Sequence, residues 1–257
     1  MASDPIALRG VVLGSREFKD RDRIISFLSS EAGVIDICIK GSAKSGSKFS
    51  AASVPFIVAD VVITATGSFY YLKDFNIVSS NSEIMNNLEA MTTAAHIGSV
   101  LSGSYIDQTN ARAFYELAVY CFYNLSETPD RYMLIYSAFN WRFLYILGYA
   151  ITYDRCNLCS EALDRASYLS FYDGQIYCAS CFEHSPKLYS SNFFLLSHAG
   201  ILALNYFLTC DIKKLFSVRV DEDSLQRLVL FTTRYMNVQL EGTYDTLLNL
   251  LRDLKVF

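Results

Sequence analysis

Residues 31–53 read EAGVIDICIKGSAKSGSKFSAAS, and within them Ile35, Ile37 and Ile39 alternate with Asp36, Cys38 and Lys40. A period of two sends the isoleucines to one side of an extended chain and their neighbours to the other, which is the pattern of a half-buried β-strand. The run that follows, 41–53, is built of Gly, Ser and Ala around Lys44, Lys48 and Phe49, with no acid. It reads as a flexible basic loop able to lay cations and one ring along a phosphate backbone, or equally as an ordinary solvated connection.

Working outward, strand patterns recur at 6–15, 22–29, 34–40, 55–65 and 69–77, each bounded by Gly, Ser or Pro, with Thr66-Gly67-Ser68 as the turn into the fifth. Five short strands with a basic loop in their middle suit a small closed barrel of the OB-fold type, a β-sandwich being the alternative. After the polar run 79–83, which can cap a helix, the apolar period lengthens to that of a helix. Ile84, Leu88, Met91, Ala95 and Leu101 make one apolar stripe, and Phe114, Leu117, Ala118, Cys121, Phe122 and Leu125 make the next. Thr128-Pro129 opens a third helix, carrying Met133, Tyr136, Phe139, Phe143 and Leu147 to Gly148, and the spacing predicts further helices over 192–209, 223–238 and 244–254. The fold class is therefore α+β, with a barrel domain at 1–80, a helical domain at 81–152 and 186–257, and an insertion at 153–185.

The insertion carries YDRCNLCSEALDRASYLSFYDGQIYCASC, residues 153–181. Its four cysteines, Cys156, Cys159, Cys178 and Cys181, form two C-x2-C pairs at the spacing of a tetrahedral zinc site, where each pair bends into a knuckle that aims two thiolates at one ion. Between them, 169–177 reads as a hairpin turning at Asp173-Gly174. Four protein thiolates leave no position open for water or substrate, so one structural Zn2+ is expected rather than a catalytic one. A redox dithiol is disfavoured because two pairs occur together.

Composition bounds the rest. With 52% hydrophobic residues and only 19% charged ones, the chain of 257 residues has enough apolar surface to build a core and is not disordered. The apolar runs 54–65 and 143–151 fall short of the roughly 18 residues that span a membrane, and the start MASDPIALRG lacks a secretory pattern, so a cytoplasmic location is expected. Seven cysteines are an odd number for a disulfide framework; Cys38, Cys121 and Cys210 stand alone among apolar residues and read as packing. Residues 1–55 hold eight Lys+Arg against six Asp+Glu, a net of +2 in a chain of net −4, so the remainder is −6 and any nucleic-acid surface belongs to the barrel. Arg16, Lys19, Arg21 and Arg23 are interleaved with Glu17, Asp20 and Asp22, which allows either a DNA face or self-neutralising pairs.

His96, His184 and His198 lie far apart with no nucleophile motif beside them, and no G-x-S-x-G, P-loop, G-x-G-x-x-G or H-E-x-x-H occurs, so no catalytic residue is assigned and the protein is read as a non-enzyme. A hydrolase or transferase with an unrecognised site would show itself as a deep pocket with perturbed carboxylates. The helix around Trp141 and Arg142 reads as core, with its edge as a candidate peptide-binding surface.

Taken in order, 6–15, the run from Phe18 through Lys40-Gly41 to Phe49, the helices, and the four-cysteine segment resemble the bacterial RecO family of DNA repair proteins. The resemblance implies an N-terminal OB-fold, a helical body and an inserted zinc ribbon. It implies binding of single- and double-stranded DNA, annealing of complementary strands, and action with RecR to load RecA onto DNA covered by single-strand-binding protein, SSB, at the bacterial nucleoid. Carried across, Arg16, Lys19, Arg21, Arg23, Lys40, Lys44, Lys48 and Phe49 are the expected DNA face. The family commonly has Gly at the position of Ser160, where positive φ is favoured. An acidic SSB tail needs a cation beside an apolar pocket, for which Arg112, Arg131 and Arg142 on aromatic helices are the candidates. A zinc-ribbon adaptor that hardly touches nucleic acid is the alternative.

Overall fold

The structure is a computed structural model that describes residues 4–19, 21–44, 46–67, 69–185 and 192–254. Two compact units divide the chain, Met1–Asp130 and Arg131–Phe257.

The first unit begins with five strands, β1 (Ile6–Phe18), β2 (Asp22–Ser29), β3 (Gly33–Ile39), β4 (Val58–Thr66) and β5 (Phe69–Ser79), closed into a barrel in the order β1-β2-β3-β5-β4. All junctions are antiparallel except β3 with β5, a parallel seam of two residue pairs, Ile37 with Tyr70 and Cys38 with Tyr71. The expected OB-like barrel is thus present. β1 is long enough to pair with β4 through its first half and with β2 through its second, with an irregularity between Val12 and Gly14 where it bends from one partner to the other. Val12, Ile25, Phe27, Ile37, Ile39, Val61, Ile63 and Leu72 fill the interior with Ile35 packed against them, so the isoleucine face expected of β3 points inward. The Gly67 turn has φ +61, while Ser68 lies outside the described residues.

Two helices complete this unit, α1 (Leu88–Ser102) and α2 (Ala111–Glu127). The predicted stripe of α2 is wholly buried. That of α1 is not: Leu88, Met91 and Ala95 face solvent, and the buried side is Ala90, Ala94, Ile97, Gly98 and Leu101. The reason is a close approach. At Gly98 the helix lies so near β1 that a Cβ would stand 2.3 Å from the Leu13 carbonyl oxygen. Only a residue without a Cβ allows that contact, and the side of the helix centred on Gly98 is the one pressed inward, which leaves Leu88 and Met91 in solvent. Asn87 caps α1 by accepting the Ala90 N–H at 2.8 Å, a task the sequence reading gave to the polar run before it. Position 80/81, where the sequence reading divides barrel from helical domain, lies within the compact unit Met1–Asp130.

The second unit is built on α3 (Tyr132–Ile146), α4 (Ala179–Glu183), α5 (His198–Thr209), α6 (Glu222–Gln239) and α7 (Thr246–Asp253), with strands β6 (Ser167–Ser170), β7 (Ile176–Cys178) and β8 (Phe193–Leu196). The predicted hairpin is β6-β7, with Gly174 in its turn at φ +68, a backbone state that suits a residue without Cβ. The helix expected from 192 begins instead as β8, which pairs with β6 into a three-stranded sheet, and only then becomes α5. A four-residue apolar run, FFLL, satisfies either period; pairing with β6 decides it. Trp141 is fully buried, with the rings of Tyr153, Phe231 and Tyr235 at 5.9, 5.8 and 5.2 Å, as the core reading required. No described helix is long and apolar enough to cross a membrane.

Candidate metal centre and nucleic-acid face

The four sulfurs of Cys156, Cys159, Cys178 and Cys181 lie within 4.8 Å of one another, the one such cluster of metal-ligating groups among the described residues. Cys159 and Cys178 Sγ are 3.9 Å apart, close to the ~3.8 Å edge of a tetrahedron with Zn–S bonds of about 2.3 Å. Each knuckle has its own scaffold. In the first, Ser160 N–H donates to the Cys156 carbonyl at 2.9 Å, and Ser160 itself sits at φ +63, the positive value its place suggested. In the second, Cys178 ends β7 and Cys181 follows on α4.

Asn157 locks the knuckles together: its N–H donates to the Ile176 carbonyl at 2.9 Å and its Oδ1 accepts the Ile176 N–H at 2.8 Å. Sequence reasoning passed over Asn157, because nothing in C-N-L-C distinguishes a clamp from a filler. Burial pushes the Cys156 thiol up, but N–H groups of Cys159, Cys178 and Leu158 directed at its sulfur outweigh that and bring it down to about 6. Cys181, beside the Cys159 and Cys178 sulfurs, is pushed up to about 12. Four thiolates in one shell repel unless a cation neutralises them, and an all-sulfur donor set suits a soft, tetrahedral divalent ion.

On the barrel, the expected DNA residues divide into three groups. Arg16 is held by Asp36 at 2.5 Å, and Arg23 faces Glu17 across the β1–β2 ladder. Lys19, Arg21, Lys40 and Lys44 come together around an open basin of about 590 Å³, whose remaining walls are Asp22 and Gly41. The one carboxylate there is already engaged: Asp22 accepts the Gly41 N–H at 2.8 Å and so pins the start of the basic loop. Asp20 lies outside the described residues. Lys48 lies apart from the basin lining, 4.7 Å above the Phe49 ring, and Phe49 packs half-buried against the barrel interior, 6.1 Å from Phe75.

The described residues of the basic loop form tight turns. Lys44 N–H bonds Gly41 O, Ser47 N–H bonds Lys44 O and Ser50 N–H bonds Ser47 O, at 3.1 to 3.2 Å. Side-chain hydroxyls of Ser42, Ser50 and Ser53 add bonds of 3.1, 2.9 and 2.8 Å to backbone carbonyls three residues back. Serine in this segment supplies structure as well as polarity.

Three rings absent from the sequence-based selection adjoin the basin. Phe69 lies 6.1 Å from Phe18 and 6.5 Å from Tyr71. Lys19 stands 5.2 Å over Phe18, and Lys40 stands 4.5 Å over Tyr71. The alternation Phe69-Tyr70-Tyr71-Leu72 announces a shared outer face for Phe69 and Tyr71, since Leu72 is buried. The approach of Phe18 depends on barrel closure and is invisible in the string.

The three candidate peptide arginines are engaged within their own units. Arg112 pairs with Glu116 at 2.9 Å on α2, with 84% of its side chain exposed. Arg131 donates to the Val218 carbonyl at 2.9 Å. Arg142 donates to the Leu208 and Cys210 carbonyls and so closes the C-terminal end of α5.

Against known families, residues 1–81 match the model described as Recombination protein O N terminal, and residues 85–247 match Recombination protein O C terminal. Similar curated proteins bear the name DNA repair protein RecO. That of Acetivibrio thermocellus is 27% identical over 238 residues, 93% of each chain, and that of Clostridium acetobutylicum is 25% identical over 221 residues, 84% of each. The Bacillus pumilus protein is 23% identical over 223 residues, 87% of this chain and 84% of its own. With a barrel, a four-cysteine cluster and a family match running through both units, this chain belongs to the RecO family of DNA repair proteins.

Proposed function

We propose that this protein is a non-enzymatic recombination mediator that holds single- and double-stranded DNA on the outer surface of its barrel. The observation that carries the reading is the basin: four cations, Lys19, Arg21, Lys40 and Lys44, share one open surface whose single acid among the described residues, Asp22, accepts a main-chain N–H. Such a surface gathers phosphates and releases their counterions without reading sequence. Two strands gripped by phosphate alone keep their base edges free to pair, which is the condition for annealing. Arg9, bonded to Asp60 at 2.6 and 2.8 Å, and Arg16, bonded to Asp36, are already neutralised and add little.

The same reading makes RecR, RecA and the acidic C-terminal tail of SSB its partners at the bacterial nucleoid, with Arg112, Arg131 and Arg142 each a separate candidate for the tail. It also keeps the division into barrel (1–80), helical body (81–152 and 186–257) and ribbon (153–185), with one Zn2+ held by the four cysteines. When bound, that ion supplies cross-linking of the two knuckles and no reaction chemistry.

Replacement of Arg21, Lys40 and Lys44 by Ala tests it. Binding to a single-stranded oligonucleotide should weaken, and the slope of log K against log salt should flatten by about 2, at roughly 0.7 per lost phosphate contact. An unchanged slope would show that the basin is merely solvated.

A further inference from the structure

We infer that Phe18, Phe69 and Tyr71 form a stacking platform for the bases of an unpaired DNA strand whose phosphates lie over the neighbouring basin, so that the rings make the protein prefer single strands to duplex. The inference rests on the DNA-binding reading above and concerns a set of side chains that reading does not use.

Two independent observations meet here. The first is the rings. Phe69 is 44% exposed on the outer face of β5, at the centre of the row, and among the described residues no cation stands on it. A large apolar ring left in water beside two others is a surface with something to cover. The second is the link to the charges. Lys19 and Lys40 both line the basin and both stand over a ring of the row, Phe18 and Tyr71. A strand whose backbone follows the cations therefore has its bases carried over the rings. Each ammonium can leave its ring for a phosphate, exchanging a weak cation–π contact for an ion pair and opening that ring face.

The spacing selects the form of the strand. Stacked bases follow one another at about 3.4 Å along a strand. The ring centroids are 6.1 and 6.5 Å apart, and the planes are inclined by 35° and 48°. Bases can meet these rings one by one only when they are splayed from each other, which a duplex resists and a single strand permits. Duplex DNA is left with the cations alone. The rings thus control the ratio of affinities, and the cations control the salt dependence of both.

The test measures binding of the full chain to an oligothymidylate and to a blunt duplex of the same length, for wild type, Phe69→Leu, Phe69→Trp and Tyr71→Leu. Leucine keeps apolar bulk and loses the ring, and thermal melting confirms that each variant is folded. The expected result is single-strand affinity roughly tenfold lower for each leucine variant, in the range that loss of one base stack gives. Duplex affinity and both salt slopes should be unchanged, and Phe69→Trp should bind at least as well as wild type with its tryptophan emission quenched by the single strand. Equal single-strand affinity across the set would overturn the platform while leaving the basin intact. Parallel losses on single strand and duplex would overturn it too, as the mark of a merely structural role. If wild type bound neither, the DNA-binding reading itself would fall, and the platform with it.

Discussion

The side-chain amide of Asn205 answers the main chain of Tyr153 twice, accepting its N–H and donating to its carbonyl, each at 2.6 Å. The pairing imitates one rung of a β-ladder, but it joins α5 to the entry of the cysteine segment, and Gln239 of α6 adds bonds of 3.0 Å to the carbonyls of Phe171 and Tyr172. The ribbon is therefore stitched to its helices by amide side chains as well as by the rings around Trp141.

Asn205→Ala strands two main-chain groups of the buried Tyr153 and should cost about 2 kcal/mol. The melting temperature should fall by about 4 to 8 °C. Asn205→Asp, which sets a carboxylate oxygen against the Tyr153 carbonyl in place of the donor, should cost at least as much. Calorimetry of the three proteins decides; equal melting points would mean that water replaces the rung.

Ser160 pays for its positive φ. Ser160→Gly should relieve that strain, less the extra freedom glycine gains when unfolded, for a net gain of about 0.5 to 1 kcal/mol. Denaturant midpoints of the metal-loaded proteins measure it, and a loss of stability would show that the Ser160 side chain contributes more than its backbone costs.

Metal removal should act on one unit and spare the other. Protein purified without chelator should carry one zinc per chain, and a strong chelator should expose β6, β7 and β8 to hydrogen exchange, since ligand binding and local folding are coupled. The five barrel strands should keep their protection. Cys178→Ser should reproduce the chelated pattern, whereas metal content well below half an equivalent would remove the zinc assignment.

Gly98→Ala should destabilise in spite of alanine's better helix propensity, because the new methyl group lands 2.3 Å from the Leu13 oxygen and the helix must back away. Overpacking of this kind costs about 1 to 3 kcal/mol, more than the roughly 1 kcal/mol that propensity returns. Ala95→Leu, on the solvent face of the same helix, should be nearly neutral. Urea unfolding of the two variants side by side checks the assignment of faces.

Which parts of this molecule could be read beforehand follows from how local their causes are. Strand alternation in 34–40, the stripe of α2 and the two C-x2-C pairs are each specified within one element, and each came out as written. The face of α1 could not be read, because Leu88 and Met91 make as good a stripe as Ala90 and Ala94 until β1 is known to press against Gly98. The start of α5 could not be read either, since Phe193 and Phe194 become strand residues only when β6 lies beside them. At the nucleic-acid face, the cations were visible as a composition. Their sorting into the basin group and the paired Arg16 depended on which strands Asp22 and Asp36 occupy, and the placing of Phe18 beside Phe69 depended on closing the tube.

That closure has a consequence for how the barrel assembles. Once β1 has paired with β2 and β4, β2 with β3 and β4 with β5, the one junction left to shut is β3 with β5, and it gains just two parallel pairs, Ile37 with Tyr70 and Cys38 with Tyr71. Parallel pairing is slightly weaker than antiparallel, and strands distant in sequence must first bear the entropy of closing the chain between them. The seam is therefore the junction of the tube with the least pairing to hold it. The tight turns among the described residues between Gly41 and Ser53 lower the number of free residues in that connection, so the serines that space the cations also reduce the entropy that closing the seam must overcome.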